Sequence, residues 1–167
     1  MRAVIALFAM SAVLLSPLAA GAQDSGRSRL LEVLPAAGLD KSSVLVFRDQ
    51  ADLDTRYYLA DEKVLGLNEK TEAVFARYLA GPGEALLLVV AYPSEEDARR
   101  AYEKFAGDFF SKRFDAKNPR TVERLESGDY AAALRARTYL IVVLEAPDRR
   151  SCDELARRAE ERALGRL

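Results

Sequence analysis

The most regular pattern of apolar and polar positions lies in LLLVVAYPSEEDARRAYEKF, residues 86–105. Its first seven residues carry no charge and predict a buried strand, and Pro93 suits the strand end because it lacks a backbone donor. Ser94 is a good N-cap, with Asp97 three residues on as in a capping box. Apolar residues then recur at helical spacing, at Ala98, Tyr102, Phe105 and Phe109. The stretch predicts a strand followed by an amphipathic helix over residues 94–112.

The C-terminal third repeats this arrangement. Residues 138–147, TYLIVVLEAP, have strand composition, and DRRSCDELARRAEERAL predicts a helix over residues 150–165 with Ser151 and Glu154 as its capping box. Pro93 and Pro147 lie 54 residues apart. The pattern predicts two strand–strand–helix units.

The partner strands of these units are also visible in the sequence. Residues 72–93 predict two strands joined by a Gly81-Pro82-Gly83 turn, and TVERL and YAAALR flank a turn at residues 127–129. SVLVF, residues 43–47, adds strand composition, while residues 51–70 predict short helical pieces and loop. The expected fold is α+β, with an antiparallel sheet of about five to six strands and two main helices on one face. This is a two-layer sandwich of the ferredoxin-like type.

Both faces of the central strands are predicted to be buried. In EALLLVVAY and TYLIVVLE, both alternating sets of residues are apolar, whereas a sheet with one wet face alternates apolar with polar. If the two helices cover one face, the other needs a cover. We expect the segment 30–67 to pack there and to leave a smaller apolar patch as a binding surface. The alternative cover is a second copy or a partner.

The N-terminus has the pattern of a secretory signal peptide. Arg2 precedes an apolar run that ends near Pro17, and Ala20-Gly21-Ala22 fits signal peptidase. We expect residues 1–22 to be the signal peptide, cleaved after Ala22, residues 23–29 a flexible tail, and residues 30–167 a single α+β domain. This predicts a periplasmic or secreted protein with no membrane span after cleavage; the alternative is a retained anchor.

Composition narrows the classes of function. The formal charge is −1, and removing the charge of Arg2 leaves −2, with both signs interspersed and no basic stripe carrying stacking aromatics. Nucleic-acid binding is therefore not expected. The chain contains no histidine, which removes serine–histidine and cysteine–histidine catalysis and the usual zinc ligands.

The remaining candidates for chemistry have structural explanations. The acids at residues 95–97 suit a helix N-terminus, where the dipole favours negative charge. Asp49, Asp52 and Asp54 lack the glycine and the bidentate glutamate of an EF-hand loop. Cys152, the single cysteine, lies on the apolar stripe of its predicted helix and is expected to be a buried, unreactive thiol. No residue is assigned a catalytic, cofactor-binding or metal-binding role, and no cofactor is expected.

A resemblance to a known family covers most of residues 23–167. The segment LADEKVLGLNEKTEAVFARYLAGPGEALLLVVAYPSEEDARRAY, residues 59–102, resembles the second half of an uncharacterised bacterial secreted family catalogued as domain of unknown function 6599. The matching features are Tyr57–Glu62, Thr71–Tyr78, Leu86–Pro93 and Ser94–Ala98. The resemblance implies an exported protein but carries no activity, cofactor or site residue.

Two classes of function remain open. The first is a non-catalytic binding or interaction module, with an envelope protein or a second copy as a possible partner. The second is a hydrolase that uses carboxylate, serine or tyrosine side chains without histidine. The missing histidine favours the first.

Overall fold

The computed structural model describes residues 30–55, 57–59, 63–110, 115 and 117–165. The expected signal peptide and tail lie outside these residues. Among them, the strands are β1 (Leu45–Phe47), β2 (Glu72–Ala80), β3 (Gly83–Ala91), β4 (Arg120–Arg124), β5 (Tyr130–Ala136) and β6 (Tyr139–Ala146). The helices that lie wholly within the described residues are α1 (Gln50–Asp54), α2 (Glu95–Phe109) and α3 (Arg149–Ala163), and a 3-10 turn spans Lys41–Ser43.

The strands form one antiparallel sheet in the order β1-β2-β3-β6-β5-β4. β3 and β6 pair at its centre, with Leu88 opposite Val142, and β2 joins β3 through the predicted turn at Gly81. Residues 85–90 of β3 and 140–144 of β6 are buried on both faces, as their apolar pattern predicts. The α+β class, the six-stranded antiparallel sheet and the two long helices are confirmed.

The two long helices lie on opposite faces of this sheet, in contrast to the expectation that they share one. α2 packs against the face formed by Leu88 and Val90 of β3, together with alternate residues of β5 and β6. α3 packs against the other face, which carries Leu87 and Val89. The sheet therefore has a hydrophobic core on each side.

A β-bulge near the end of β6 explains why α3 changes face. Tyr130 pairs with Ala146 and Ala132 with Val143, so β6 holds one extra residue against β5. Glu145, within the bulge, has a φ of +55°. Leu144 faces the α2 core, but Ala146 faces the α3 core, so the alternation shifts by one. The end of β3 keeps its alternation, because Val90 and Tyr92 both face the α2 core.

The first residues of the two helices follow different capping patterns. Ser94 caps α2 as predicted, since its hydroxyl oxygen accepts a hydrogen bond from the Asp97 N–H at 3.1 Å. α3 is capped by Asp148, whose carboxylate accepts from the Ser151 N–H at 2.8 Å. The prediction that Ser151 is the cap was wrong because β6 ends at Ala146. The extended residue nearest the helix is then Asp148, which places Ser151 inside the first turn.

The segment 30–67 packs on the sheet as predicted, but it contributes to both faces. Its described residues that are buried in the two hydrophobic cores are Leu30, Val33 and Leu34 on the α3 face, and Phe47, Leu53, Leu59, Val64 and Leu65 on the α2 face. On its face, α2 contacts mainly β5 and β6, so these five residues from Phe47 to Leu65 cover the β2–β3 side. Among the described residues, the large apolar side chains left exposed are Leu31, Tyr58 and Leu79.

Candidate binding groove

Of the acids at residues 95–97, Asp97 takes part in the α2 cap and pairs with Arg100, and Glu96 pairs with Arg99. The Ser94 hydroxyl donates to the Asp97 carboxylate at 2.5 Å, and this hydrogen bond is the main reason that the pKa of Asp97 is lowered. Hydrogen bonding from Arg99 likewise lowers the pKa of Glu96. Carboxyl groups with lowered pKa values are ionised at neutral pH and are poor general acids. The structural interpretation of these acids is therefore favoured.

The other acidic candidates also have structural partners. Asp49 caps α1, its carboxylate accepting from the Asp52 N–H at 3.0 Å. Asp54 accepts a hydrogen bond from the Gln50 side chain at 2.9 Å. Within the described residues, these carboxylates do not converge with others into a group that could hold a metal ion.

Cys152 is fully buried on the α3 face, on the predicted stripe with Leu155, Ala156 and Ala159. Burial, with a smaller contribution from the neighbouring Asp153, raises the pKa of its thiol to about 12. A thiol in such surroundings stays protonated and unreactive at neutral pH. The expected packing role of Cys152 is confirmed.

The tyrosine and serine side chains give the hydrolase alternative little support. Burial raises the pKa of Tyr57 to about 12 and also raises the pKa values of Tyr78, Tyr92 and Tyr102, which disfavours a phenolate nucleophile. The Ser151 hydroxyl donates to its capping partner Asp148 at 2.9 Å, much as Ser94 does to Asp97. Both carboxylates have lowered pKa values, so neither is tuned as a general base near neutral pH.

The two edges of the sheet differ in how their backbone groups are satisfied. On the β2 side, the chain's own segment closes the edge: Leu79 N–H donates to Gly38 C=O at 2.8 Å and Asp40 N–H to Arg77 C=O at 2.9 Å. Only the three residues of β1 form the outermost strand there. At the opposite edge, β4 has five residues.

The hydrogen bonds between β4 and β5 determine which backbone groups of β4 point outward. Arg135 N–H donates to Pro119 C=O at 2.9 Å, and Leu125 N–H donates to Asp129 C=O at 2.7 Å. Because inward and outward groups alternate along an antiparallel ladder, residues 121 and 123 face β5. The N–H and C=O groups of Val122 and Arg124 therefore point away from the sheet, and these groups have no hydrogen-bond partner within the described part of the chain.

A groove runs beside this edge, between β4 and the first two turns of α3. One part, with a cavity volume of about 670 Å³, is lined by Arg120, Arg149, Arg150, Asp153, Glu154 and Arg157. A second part of about 430 Å³ shares Arg120, Arg149 and Asp153 and extends over residues 121–123 of β4. We call these two parts together the arginine groove.

Ion pairs hold the walls of the arginine groove together. Arg120 of β4 donates to the Asp153 carboxylate of α3 at 2.9 Å and lies 3.8 Å from Glu160. Arg149 lies 3.6 Å from the other oxygen of Asp153. The Arg120 side chain is about one-third exposed and that of Arg149 about two-thirds, so Arg120 positions the wall while Arg149 stays available to a ligand.

A smaller cavity of about 390 Å³ lies beside α2, and its lining includes Lys70, Tyr92, Arg100 and Lys104. Arg100 is paired with Asp97 at 2.5 Å and Lys104 with Asp108 at 2.7 Å. The Tyr92 hydroxyl donates to the Leu65 C=O at 2.6 Å, which ties the loop before β2 to the sheet. These contacts are explained by the packing of that loop against α2.

Sequence reasoning missed the arginine groove. Its local signals are the alternation of RTVER and the paired arginines at residues 149 and 150. Neither signal indicates a site by itself, because the groove forms only when β4 lies at the edge and α3 crosses next to it.

Comparison with models of known protein families finds no match, and comparison with curated proteins finds none either. Within the described residues, the structure contains no helix with both the length and the apolar character needed to cross a bilayer.

Proposed function

We propose that this chain is an exported bacterial binding or interaction module without chemistry of its own, and that it contacts its partner through the arginine groove. The observation that carries the proposal is the outward-pointing backbone of Val122 and Arg124 beside a wall of arginines. Unpaired edge groups are a common template for association with another chain.

The chemistry of the candidate side chains also supports a binding role. The carboxylates near Ser94 and Ser151 serve helix capping, and the pKa values of the buried tyrosines are raised. The hydrolase alternative needs a nucleophile paired with a base tuned near neutral pH. The described residues provide no observation that favours it.

The export part of the proposal rests on the signal-peptide pattern of residues 1–22 and on the resemblance to the second half of the family catalogued as domain of unknown function 6599. It is tested by the intact mass of the protein recovered from the periplasm or medium. We expect a chain that begins at Gln23. Material that retains Met1 and stays with the membrane fraction would contradict cleavage.

Photo-crosslinking in the native envelope tests the binding role. A photoreactive residue replaces Arg150, which is exposed at the rim of the arginine groove, and in a control it replaces Arg99, exposed on α2. We expect a discrete crosslinked species from position 150 and none from position 99. Equal crosslinking at both positions, or none at either, would contradict the proposed function.

A further inference from the structure

We infer that β4 binds an extended peptide segment as a seventh strand, and that this segment carries acidic side chains on both sides of an apolar one. This inference rests on the proposed function and names the class of partner. The outward N–H and C=O groups of Val122 and Arg124 supply the hydrogen bonds of the new strand pair.

The side chains of β4 determine what the added strand must carry. Val122 packs against the α3 core, so Arg120, Val122 and Arg124 share the face that borders the arginine groove. Directly opposite residues of neighbouring antiparallel strands are in contact, and opposite charges there stabilise the pair. A segment with Asp or Glu facing Arg120 and Arg124, and Val or Ile facing Val122, therefore matches β4.

The arginines around this strand are unequally neutralised. Arg120 is already bound to Asp153, but the Arg124 guanidinium donates to the neutral C=O of Gly128 at 3.0 Å. Arg149 and Arg150 line the adjacent wall. An incoming carboxylate opposite Arg124 thus meets a cation whose hydrogen-bond partner, in the described part of the chain, is a carbonyl oxygen.

The same charges argue against a second copy at this edge. Antiparallel pairing of β4 with β4 of another copy, centred on Val122, places Arg120 directly opposite Arg124. Like charges in directly opposite positions destabilise a strand pair. A heterologous acidic segment is therefore the better occupant.

Binding of a synthetic peptide tests this inference. The probe is acetyl-Thr-Glu-Thr-Val-Thr-Glu-Thr-amide, and its control carries Lys in place of both Glu residues. Titration followed by amide NMR shifts is expected to show saturable binding of the acidic peptide, with shifts at residues 122–124, and at least about tenfold weaker binding of the Lys peptide.

Two variants separate backbone pairing from general charge attraction. Val122→Pro removes an outward N–H that the β4–β5 ladder does not use, so the fold should persist while peptide binding weakens about tenfold. Arg124→Gln should weaken peptide binding severalfold. The control, Arg48→Gln, also removes one arginine charge but lies next to β1 at the opposite edge of the sheet, and it should leave binding unchanged. Thermal unfolding of each variant confirms that it is folded.

Other results would overturn the inference. The inference is wrong if the acidic and the Lys peptide bind equally, if the Val122→Pro variant binds the acidic peptide as the wild type does, or if no binding is seen at millimolar peptide. It is also wrong if sedimentation shows that the protein is a dimer and that Val122→Pro dissociates this dimer. If the peptide fails while crosslinking from position 150 persists, the strand-addition inference is wrong and the proposed function stands. If both fail, the proposed function is wrong as well.

Discussion

At the scale of single residues, the polar and reactive side chains that first attract attention are used for folding. Two helix caps are formed by Ser94 with Asp97 and by Asp148 with Ser151. Cys152 belongs to α3 and packs into the core between this helix and the sheet. Sequence reasoning predicted the role of Cys152 and the Ser94 cap because both depend on local spacing. It misplaced the second cap, since Asp148 and Ser151 are equally good capping types and only the end of β6 selects between them.

The buried thiol gives a direct test at this scale. We expect Cys152 in the folded protein to react with a thiol reagent far more slowly than in urea. Burial excludes the reagent, and a pKa of about 12 leaves on the order of one thiolate in ten thousand at pH 8. The rate of mass increase on labelling is the measurement. Rapid modification of native protein at pH 7 would contradict this assignment.

The Asp148 cap gives a pH-dependent prediction. Replacing it by Ala should lower the melting temperature by about 2–4 °C at pH 7, whereas Asp148→Ser, which retains a capping oxygen, should lower it less. Hydrogen bonds from Ser151 lower the pKa of Asp148 in the folded state. The stabilisation is thus present above the unfolded pKa of about 3.9 and is lost as pH falls through the folded value.

Melting curves of Asp148→Ala and wild type at pH 7 and at pH 2 provide the check. The difference between the two proteins should shrink at the lower pH. A difference that stays constant, or grows, on acidification would show that the carboxylate is not the stabilising group.

At the scale of elements, two similar strand–helix units differ by one extra residue in β6. β3–α2 and β6–α3 share the order of strand, proline, cap and helix, and their core stripes lie at the same offset, with Ala98 and Tyr102 matching Cys152 and Ala156. The bulge at Glu145 nevertheless directs α3 to the opposite face.

The strands, turns and amphipathic stripes can be predicted from the sequence, because they follow from local periodicity. The bulge leaves no such trace: a positive φ is typical of glycine or asparagine, and here the residue is glutamate. The arginine groove is equally hidden, because it depends on the strand order that brings Arg120 next to Asp153. The bulge and the arginine groove could not be predicted, because both depend on contacts between residues that are distant in the sequence.

The bulge can be tested by comparing two changes at one position. Glu145→Gly should keep the fold and change the free energy of unfolding by no more than about 1 kcal/mol, because glycine adopts a positive φ readily, although the hydrogen bond from the Tyr57 hydroxyl is lost. Deleting Glu145 should abolish cooperative unfolding, because Ala146 would then point toward the α2 core. Thermal unfolding by circular dichroism distinguishes the two; a deletion variant that melts like the wild type would contradict the role of the bulge.

At the scale of the whole molecule, one sheet serves as the shared wall of two cores. Leu88 and Val142 face α2, while Leu87 and Val143 face α3 from the same two strands. β3 and β6 are thus fixed from both sides, and neither helix can lose its packing without exposing apolar residues of the common strands. Among the described strands, β4 forms the edge of the sheet and is separated from this central pair by β5. Adding a strand there is therefore compatible with a rigid centre.

This arrangement predicts that damage to either core destabilises the entire domain. Phe105 is fully buried in the α2 core and Leu155 is nearly so in the α3 core. Phe105→Ala should reduce the free energy of unfolding by about 3–5 kcal/mol and Leu155→Ala by about 2–4 kcal/mol. Because the cores share β3 and β6, each variant should still unfold in a single transition.

Hydrogen exchange measured along a denaturant series checks this coupling. In Leu155→Ala, amides of α2 and α3 should lose protection at the same denaturant concentration, shifted below that of the wild type. An exposed substitution, Asp108→Ala on α2, is the control and should shift both helices little. Loss of protection in α3 alone, with α2 and β3 still protected, would mean that the two cores unfold as separate units and that the sheet does not couple them.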